Sequence, residues 1–230
     1  MKTLTLNGAW VLDIPGSRFP RVSATVPGSV YHDLLTAGQI EDPFYRDNEN
    51  EALKIMDNDF IYSRDFTVPA DLLESDAVLL RCDGLDTLAT VTVNGTVVGT
   101  TKNMHRIYEF DVKSVLKAGE NHISVKFDSP TRFIKKSYAE SRADGSSDAM
   151  VGFPNLRKAH CMFGWDWGPR LPDAGIWRSI QLTGITTARI RDVLVLQEHS
   201  GGKVTLTVNT HVTELTGSAP VTVTVTAPDG

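Results

Sequence analysis

Two of the chain's four tryptophans flank one aspartate in Phe163-Gly164-Trp165-Asp166-Trp167-Gly168-Pro169-Arg170, the densest aromatic cluster in the sequence. Indole faces are broad and apolar with one polar edge, and they suit the C–H faces of sugar rings. A carboxylate between them can accept hydrogen bonds from hydroxyls, and a site built to pair a hydroxyl strongly rejects ligands that lack it. The glycines and Pro169 argue against a regular strand or helix, so a shaped loop is expected. In an extended run, alternation would place Trp165 and Trp167 on one side and Asp166 on the other. The competing reading is structural: both indoles lie in the core beneath a long loop, the commoner fate of an isolated W-x-W.

Other chemistry-bearing residues form weaker patterns. The six histidines (His32, His105, His122, His160, His199 and His211) include no metal-ligand pair, and H-E-x-x-H is absent, so no metal is expected. The acidic stretches Asp57-Asn58-Asp59 and Asp144 to Asp148 lack the spacing of a calcium loop and read as solvated turns. No G-x-S-x-G, P-loop or dinucleotide fingerprint occurs, and no cofactor is expected. Cys82 and Cys161 are too few for a disulfide framework. Cys161 follows His160, but sequence neighbours point different ways, so a buried thiol is expected there rather than a nucleophile. Asn94-Gly95-Thr96 matches a glycosylation sequon and reads here as a hairpin turn.

The elements that must position these residues are mostly strands. Val91-Thr92-Val93 and Val97-Val98 flank Asn94-Gly95, the strongest short hairpin signal. Phe60 to Val68 alternates and stops at Pro69. Ala77 to Cys82 is an apolar run of strand length, Asn121 to Phe127 puts Ile123, Val125 and Phe127 on one face, and Trp177 to Leu182 alternates too. Many short strands between Gly, Pro and Asn turns predict an antiparallel sandwich. Two helices are expected. One is capped by Ser29 and stopped by Gly38; the other starts at Ser129-Pro130, carries Phe133, Ile134 and Tyr138 on roughly one side, and ends near the polar stretch Asp144 to Asp148.

The pattern changes near residues 184–190. Val193 to Leu196, Val204 to Val208 and Val221 to Val225 read as strands, with Gly201-Gly202 as a turn and Pro228-Asp229-Gly230 as the start of another. Three strands make a marginal sheet, so a second domain that is incomplete is expected, in a chain cut from something longer. The length of 230 residues suits one large domain or one domain plus part of another. A net charge of −5 and the short basic stretch of Arg132, Lys135 and Lys136 argue against nucleic-acid binding. No apolar run reaches membrane-span length and the N-terminus has no signal-peptide pattern, so a cytoplasmic protein without a membrane partner is expected.

The stretch from Arg157 to Leu182, with Trp165-Asp166-Trp167-Gly168-Pro169 followed by Gly175-Ile176-Trp177-Arg178, resembles the N-terminal part of the β-mannosidases of glycoside hydrolase family 2. Leu6 to Trp10, Val26 to Val30, Asp42 to Tyr45, Gly84 to Thr87 and Asn103 to Val112 extend the resemblance over about residues 4–185. Ala52-Leu53-Lys54-Ile55-Met56 departs from it in being less aromatic. The resemblance implies an all-β fold: a jelly-roll, galactose-binding-like sandwich over 1–185, then the start of an immunoglobulin-like domain over 188–230. It implies that the (β/α)₈ barrel with the two catalytic glutamates is missing, so that no residue here is catalytic and the fragment alone is inactive. The parent would hydrolyse non-reducing terminal β-D-mannose residues from β-mannosides or manno-oligosaccharides with retention, which needs carboxyls about 5–5.5 Å apart. Trp165 would form a wall against the sugar and Asp166 would accept from its hydroxyls, while Trp167 and Arg170 would brace the loop. An autonomous carbohydrate-binding module and a glucosaminidase of the same family are the rival readings.

Overall fold

The computed structural model describes residues 2–226. In chain order its elements are β1 (Lys2–Thr5), β2 (Gly8–Asp13), β3 (Val22–Val26), α1 (Val30–Thr36), α2 (Glu49–Ile55), β4 (Phe60–Val68), β5 (Ala77–Cys82), β6 (Leu88–Val93), β7 (Thr96–Lys102), β8 (Tyr108–Asp111) and β9 (Gly119–Phe127). Then follow α3 (Pro130–Glu140), β10 (Phe163–Trp165), β11 (Gly168–Arg170), β12 (Ile180–Ile185), β13 (Ala188–Ser200) and β14 (Lys203–Glu214). Among the described residues no helix is long and apolar enough to cross a membrane.

Two antiparallel sheets make the sandwich. The larger has the order β3-β2-β4-β9-β6-β7 and the smaller β1-β12-β5-β8. The chain passes back and forth between them, so that β5 pairs with β12 across a long sequence separation, in the manner of a jelly roll. Period-two alternation explains the core. Phe60, Tyr62, Phe66 and Val68 of β4 point inward beside Ile123, Val125 and Phe127 of β9, and they meet Val78, Leu80, Ile180 and Leu182 from the smaller sheet. Tyr62 and Phe127 pack edge to face at 6.0 Å. The buried phenol of Tyr62 donates to Asp33 of α1 at 2.8 Å, which ties that helix to the sheet. Trp10 is core, its indole N–H donating to the Leu6 carbonyl at 2.7 Å.

The sequence expectations hold for most strands. Asn94 and Gly95 have φ of 49° and 81°, the two positive values a type I′ turn demands. Ser129 accepts the Arg132 N–H at 3.1 Å and Pro130 opens α3, as its sequence predicts. Three expectations fail. The last sandwich strand begins at Ile180 and not at Trp177, because Trp177 leaves the ladder to pack against Gly84 with the Arg178 guanidinium over its ring at 4.2 Å. Val221 to Val225 is not a strand: alternation and β-branching supply propensity, but no neighbouring strand among the described residues takes up its backbone groups. The hydroxyl of Ser29 makes no cap bond to α1. Pro228-Asp229-Gly230 lies outside the described residues. Helix α2 has no counterpart among the sequence expectations; its buried Ala52 and Ile55, with Met56 after them, occupy the stretch that is short of aromatic residues.

Beyond the sandwich, β13 and β14 form a long two-stranded ribbon around the predicted Gly201-Gly202 turn. Consecutive residues Val193, Leu194, Val195 and Leu196 are all exposed, so both ribbon faces are bare. Its base is fastened by polar contacts. Arg189 grips Glu109 of β8 at 2.8 and 2.5 Å, and Asp76 accepts from the Thr187 N–H and the Thr216 hydroxyl at 2.7 and 2.8 Å. The Arg189 hydrogen bond holds the Glu109 carboxyl below its ordinary value, against the opposing effect of burial. A lowered acid contributes stability that is present above its unfolded pKa and lost as pH falls through the folded one. Glu109→Gln should therefore weaken stability at pH 7, with the gap from the wild type closing below about pH 4. Urea melts across that range check this, and a gap constant down to about pH 3 would remove the ion pair from the account.

Candidate functional site

The W-x-W segment is a tight hairpin. Strands β10 and β11 pair Phe163 with Arg170 and Trp165 with Gly168, leaving Asp166-Trp167 as a two-residue turn. Neither turn residue has positive φ, so this connection differs from the one at Asn94-Gly95. The expected irregular loop is thus a short strand pair, and the expected alternation does not apply because the chain reverses between Trp165 and Gly168. Trp165 is 43% exposed, Trp167 is 76% exposed and Asp166 is exposed. The core reading of the two indoles is therefore not what the fold adopts.

The hairpin's root is as buried as its tip is bare. Phe163 is fully buried in a small cluster with Ile134 of α3, Phe153 and Leu156. Its carbonyl accepts the Met150 N–H at 3.0 Å. Gly164 holds φ of +110°, and a Cβ there would stand 2.8 Å from the Asp148 carbonyl oxygen, so only glycine fits. Arg170 donates twice to Glu49 at the start of α2, at 3.1 and 2.6 Å, and reaches Asn50 at 3.3 Å.

A family model described as glycosyl hydrolase 2 galactose-binding domain-like matches residues 10–178. The chain belongs to that family. Among its relatives, a β-mannosidase of Mus musculus is 33% identical over 196 residues, which are 81% of this chain and 22% of that protein. The crystal structure of a β-D-mannosidase from Dictyoglomus thermophilum superimposes with a TM-score of 0.87 at 33% identity, over 93% of this chain and 26% of that one. An exo-chitosanase from Amycolatopsis orientalis shares the fold, with a TM-score of 0.67 at 20% identity, over 93% of this chain and 24% of that one. The chain thus spans about a quarter or less of the length of the β-mannosidases it matches.

What holds this galactose-binding-like domain's hairpin segment to the sandwich was not visible in the sequence. The fully buried Lys158 ammonium pairs with the Asp86 carboxylate and donates to the Asp173 carbonyl at 2.7 Å. The Asp173 carboxylate accepts the N–H groups of Tyr31 and Ala174 at 3.1 and 2.8 Å. Asp173 thereby caps α1 in place of Ser29. Burial pushes its pKa up to about 6, only partly offset by those hydrogen bonds and by Lys158. The backbone of Asp86 is tied down as well, its N–H and C=O bridging to Gly175 at 2.9 and 3.1 Å.

Cys161 corrects another expectation. It is exposed, on the short turn His160–Met162 that leads into β10, whereas Cys82 is buried in β5. The turn is held instead by His160, whose ring packs edge-on against Phe153 at 4.9 Å. Asp59 is occupied by Lys126, Arg132 and the Ser129 N–H, and Asp144 by Arg142 and Tyr138. Among the described residues no three His, Cys, Asp or Glu side chains gather around a common point.

Lys158→Met removes the charge while keeping the length, and strands Asp86 in the interior. Breaking a buried pair on one side costs about 3–5 kcal/mol, which in a domain of this size lowers Tm by roughly 6–20 °C. Calorimetry checks this, with Lys158→Met/Asp86→Leu expected to recover part of the loss. An unchanged Tm in the single variant would show the pair to be dispensable.

Proposed function

We propose that this chain is the N-terminal accessory part of a retaining β-mannosidase, an enzyme that hydrolyses non-reducing terminal β-D-mannose residues from β-mannosides and manno-oligosaccharides. One observation carries the reading: two bared indoles and a free carboxylate sit on a firmly rooted hairpin, in a chain 33% identical to β-mannosidases along most of its length. In this reading Trp165 walls the terminal mannose, its flat face against the sugar's C–H groups. Asp166 accepts hydrogen bonds from the hydroxyls. Trp167 and Arg170 support the loop, and the bond from Arg170 to Glu49 suits that role.

The hydrolysis itself belongs to two glutamates on a (β/α)₈ barrel outside this chain, one the nucleophile and the other the acid/base, about 5–5.5 Å apart. The hairpin completes the barrel's sugar pocket from the side. Large apolar side chains left in water are typical of surfaces that meet a ligand or a partner, and the tryptophans fit that description. The ribbon of β13 and β14 belongs, in the same reading, to an immunoglobulin-like domain spanning residues 188–230 and beyond. Its two bare faces support this, because an isolated two-stranded ribbon is at best marginally stable in water.

The test is hydrolysis of an aryl β-mannoside by the full-length parent. Asp166→Ala should lower kcat/KM by about 5- to 150-fold, the equivalent of about 1–3 kcal/mol for a lost hydrogen bond to substrate. The 230-residue chain alone should give no turnover. An unchanged kcat/KM would remove Asp166 from the pocket, and robust turnover by the isolated chain would overturn the assignment of the chemistry to a barrel elsewhere.

A further inference from the structure

Among the described residues only four Phe, Trp and Tyr side chains are exposed, and they fall in two short segments. Trp165 and Trp167 belong to the hairpin. Phe44, 74% exposed, and Tyr45, 58% exposed, belong to the loop from Asp42 to Asn48. Two hydrogen-bonded contacts join the segments. Arg170, on the strand that follows Trp167, holds Glu49 and Asn50, and Glu49 follows directly on the loop. The Asn48 N–H bonds the Tyr45 carbonyl at 3.2 Å, which closes a turn and keeps Tyr45 within about 7 Å of Asn48.

The loop is built like the hairpin, with a bare tip on a fixed root. Pro43 is buried. The Asp42 carboxylate accepts the Phe44 N–H at 2.9 Å, and the Asp42 carbonyl accepts the Tyr45 N–H at 3.1 Å and the Asn48 amide at 2.9 Å. Arg46 holds φ of 54°, a left-handed conformation uncommon for a residue with a side chain, and its guanidinium lies over the Tyr45 ring at 5.0 Å. At roughly 150–250 Å² per aromatic side chain, the bare parts of Phe44, Tyr45 and Trp167 amount to about 300–500 Å². Apolar surface on that scale marks a place of interaction. It would form the apolar centre of an interface of about 800 Å² per partner, with the exposed Asp42, Arg46 and Asp47 of the same loop as polar rim.

We propose that Phe44 and Tyr45 pack, together with Trp167, against the barrel of the parent enzyme and so set the hairpin over its sugar pocket. The inference rests on the reading above, in which the barrel meets the hairpin's tip; a body that meets one side of the Glu49–Arg170 contact meets the other. The chain matches 22% of the length of the Mus musculus β-mannosidase, so in such a parent most of the protein is available as that partner. Phe44 and Tyr45 are positioning residues: they touch the barrel, and they act on the mannose through Trp165 and Asp166.

Hydroxyl-radical footprinting of the full-length parent and of the 230-residue chain, both without substrate, tests the contact. Phe44 and Tyr45 should be labelled readily in the chain and at least about tenfold more slowly in the parent, where the centre of an interface excludes water. Phe44→Ala/Tyr45→Ala alters only exposed side chains, so the Tm of the chain should stay within about 2 °C. In the parent the same change should lower kcat/KM for an aryl β-mannoside about tenfold or more, mainly through KM. Phe44→Tyr/Tyr45→Phe keeps both rings and should restore most of that activity. Asp166→Ala should leave the footprint as it is, which separates the two claims. An ineffective Asp166→Ala sinks the sugar reading alone, whereas equal labelling of Phe44 and Tyr45 in chain and parent sinks the docking alone. Protection that appears only with mannose bound would make the loop a sugar subsite. Protection in the chain, with a dimer on gel filtration, would make a second copy the occupant. Either result overturns the proposal, as does an unchanged kcat/KM in the double alanine variant.

Discussion

Lys158 brings an ammonium into the interior, where no solvent replaces its hydration, and the hairpin segment depends on how that charge is met. A buried ion is tolerated only when paired and hydrogen-bonded. Asp86 supplies the counter-charge and the Asp173 carbonyl a further acceptor. Asp86 lies 72 positions from Lys158, so the contact fixes one arrangement of the two segments and penalises others. Between Glu140 and Ile180 the only strands are β10 and β11. A segment with so little regular structure gains little from local propensity. The buried charge, the cap that Asp173 provides for α1, and the burial of Phe163 together give it a defined place on the sandwich.

The fold was largely legible because its strands obey local rules. The alternation in Phe60 to Val68 and Asn121 to Phe127 specifies which side is buried, and Asn94-Gly95 specifies where the chain turns. The failures mark where local rules run out. Val221 to Val225 alternates as well as any sandwich strand, yet a strand exists only if another takes up its ladder, and none does so among the described residues. Ser29 has the right type and position for a cap, but the Asp173 carboxylate takes the Tyr31 N–H in its place. Helix α2 is too short, at seven residues, to display a helical period clearly.

The site was legible in composition and illegible in construction. Aromatic residues, an acid and glycines in one short run announce a surface with chemistry to offer, and a strand-turn-strand hidden under Gly and Pro does not announce itself. Gly164 is the clearest example. In the sequence it reads as a breaker of regular structure, whereas in the fold it allows β10 to pass beside the Asp148 carbonyl where a Cβ could not fit. Lys158 and Asp86 lie 72 positions apart. Nothing in the spacing of a lone lysine and a lone aspartate signals that they meet, and the pair becomes visible only once β5, β6 and the hairpin segment are in place.

Two exposed apolar surfaces coexist in this chain, and their different foundations separate their meanings. Among the described residues the ribbon of β13 and β14 is bare on both faces and is fastened at its base, by Arg189, Glu109 and Asp76. Its apolar side chains Val193, Leu194, Val195 and Leu196 all stand exposed. The hairpin is bare only at its tip. Behind Trp165 and Trp167 stand a fully buried phenylalanine, a glycine without room for a side chain, and an arginine bonded to α2. Binding groups held on a rigid support lose less conformational freedom when a ligand arrives, and so convert more of their contact into affinity. Exposure alone would describe both surfaces equally; the buried root is what sets the hairpin apart from the ribbon, and it is the ground on which a binding role is proposed for the hairpin.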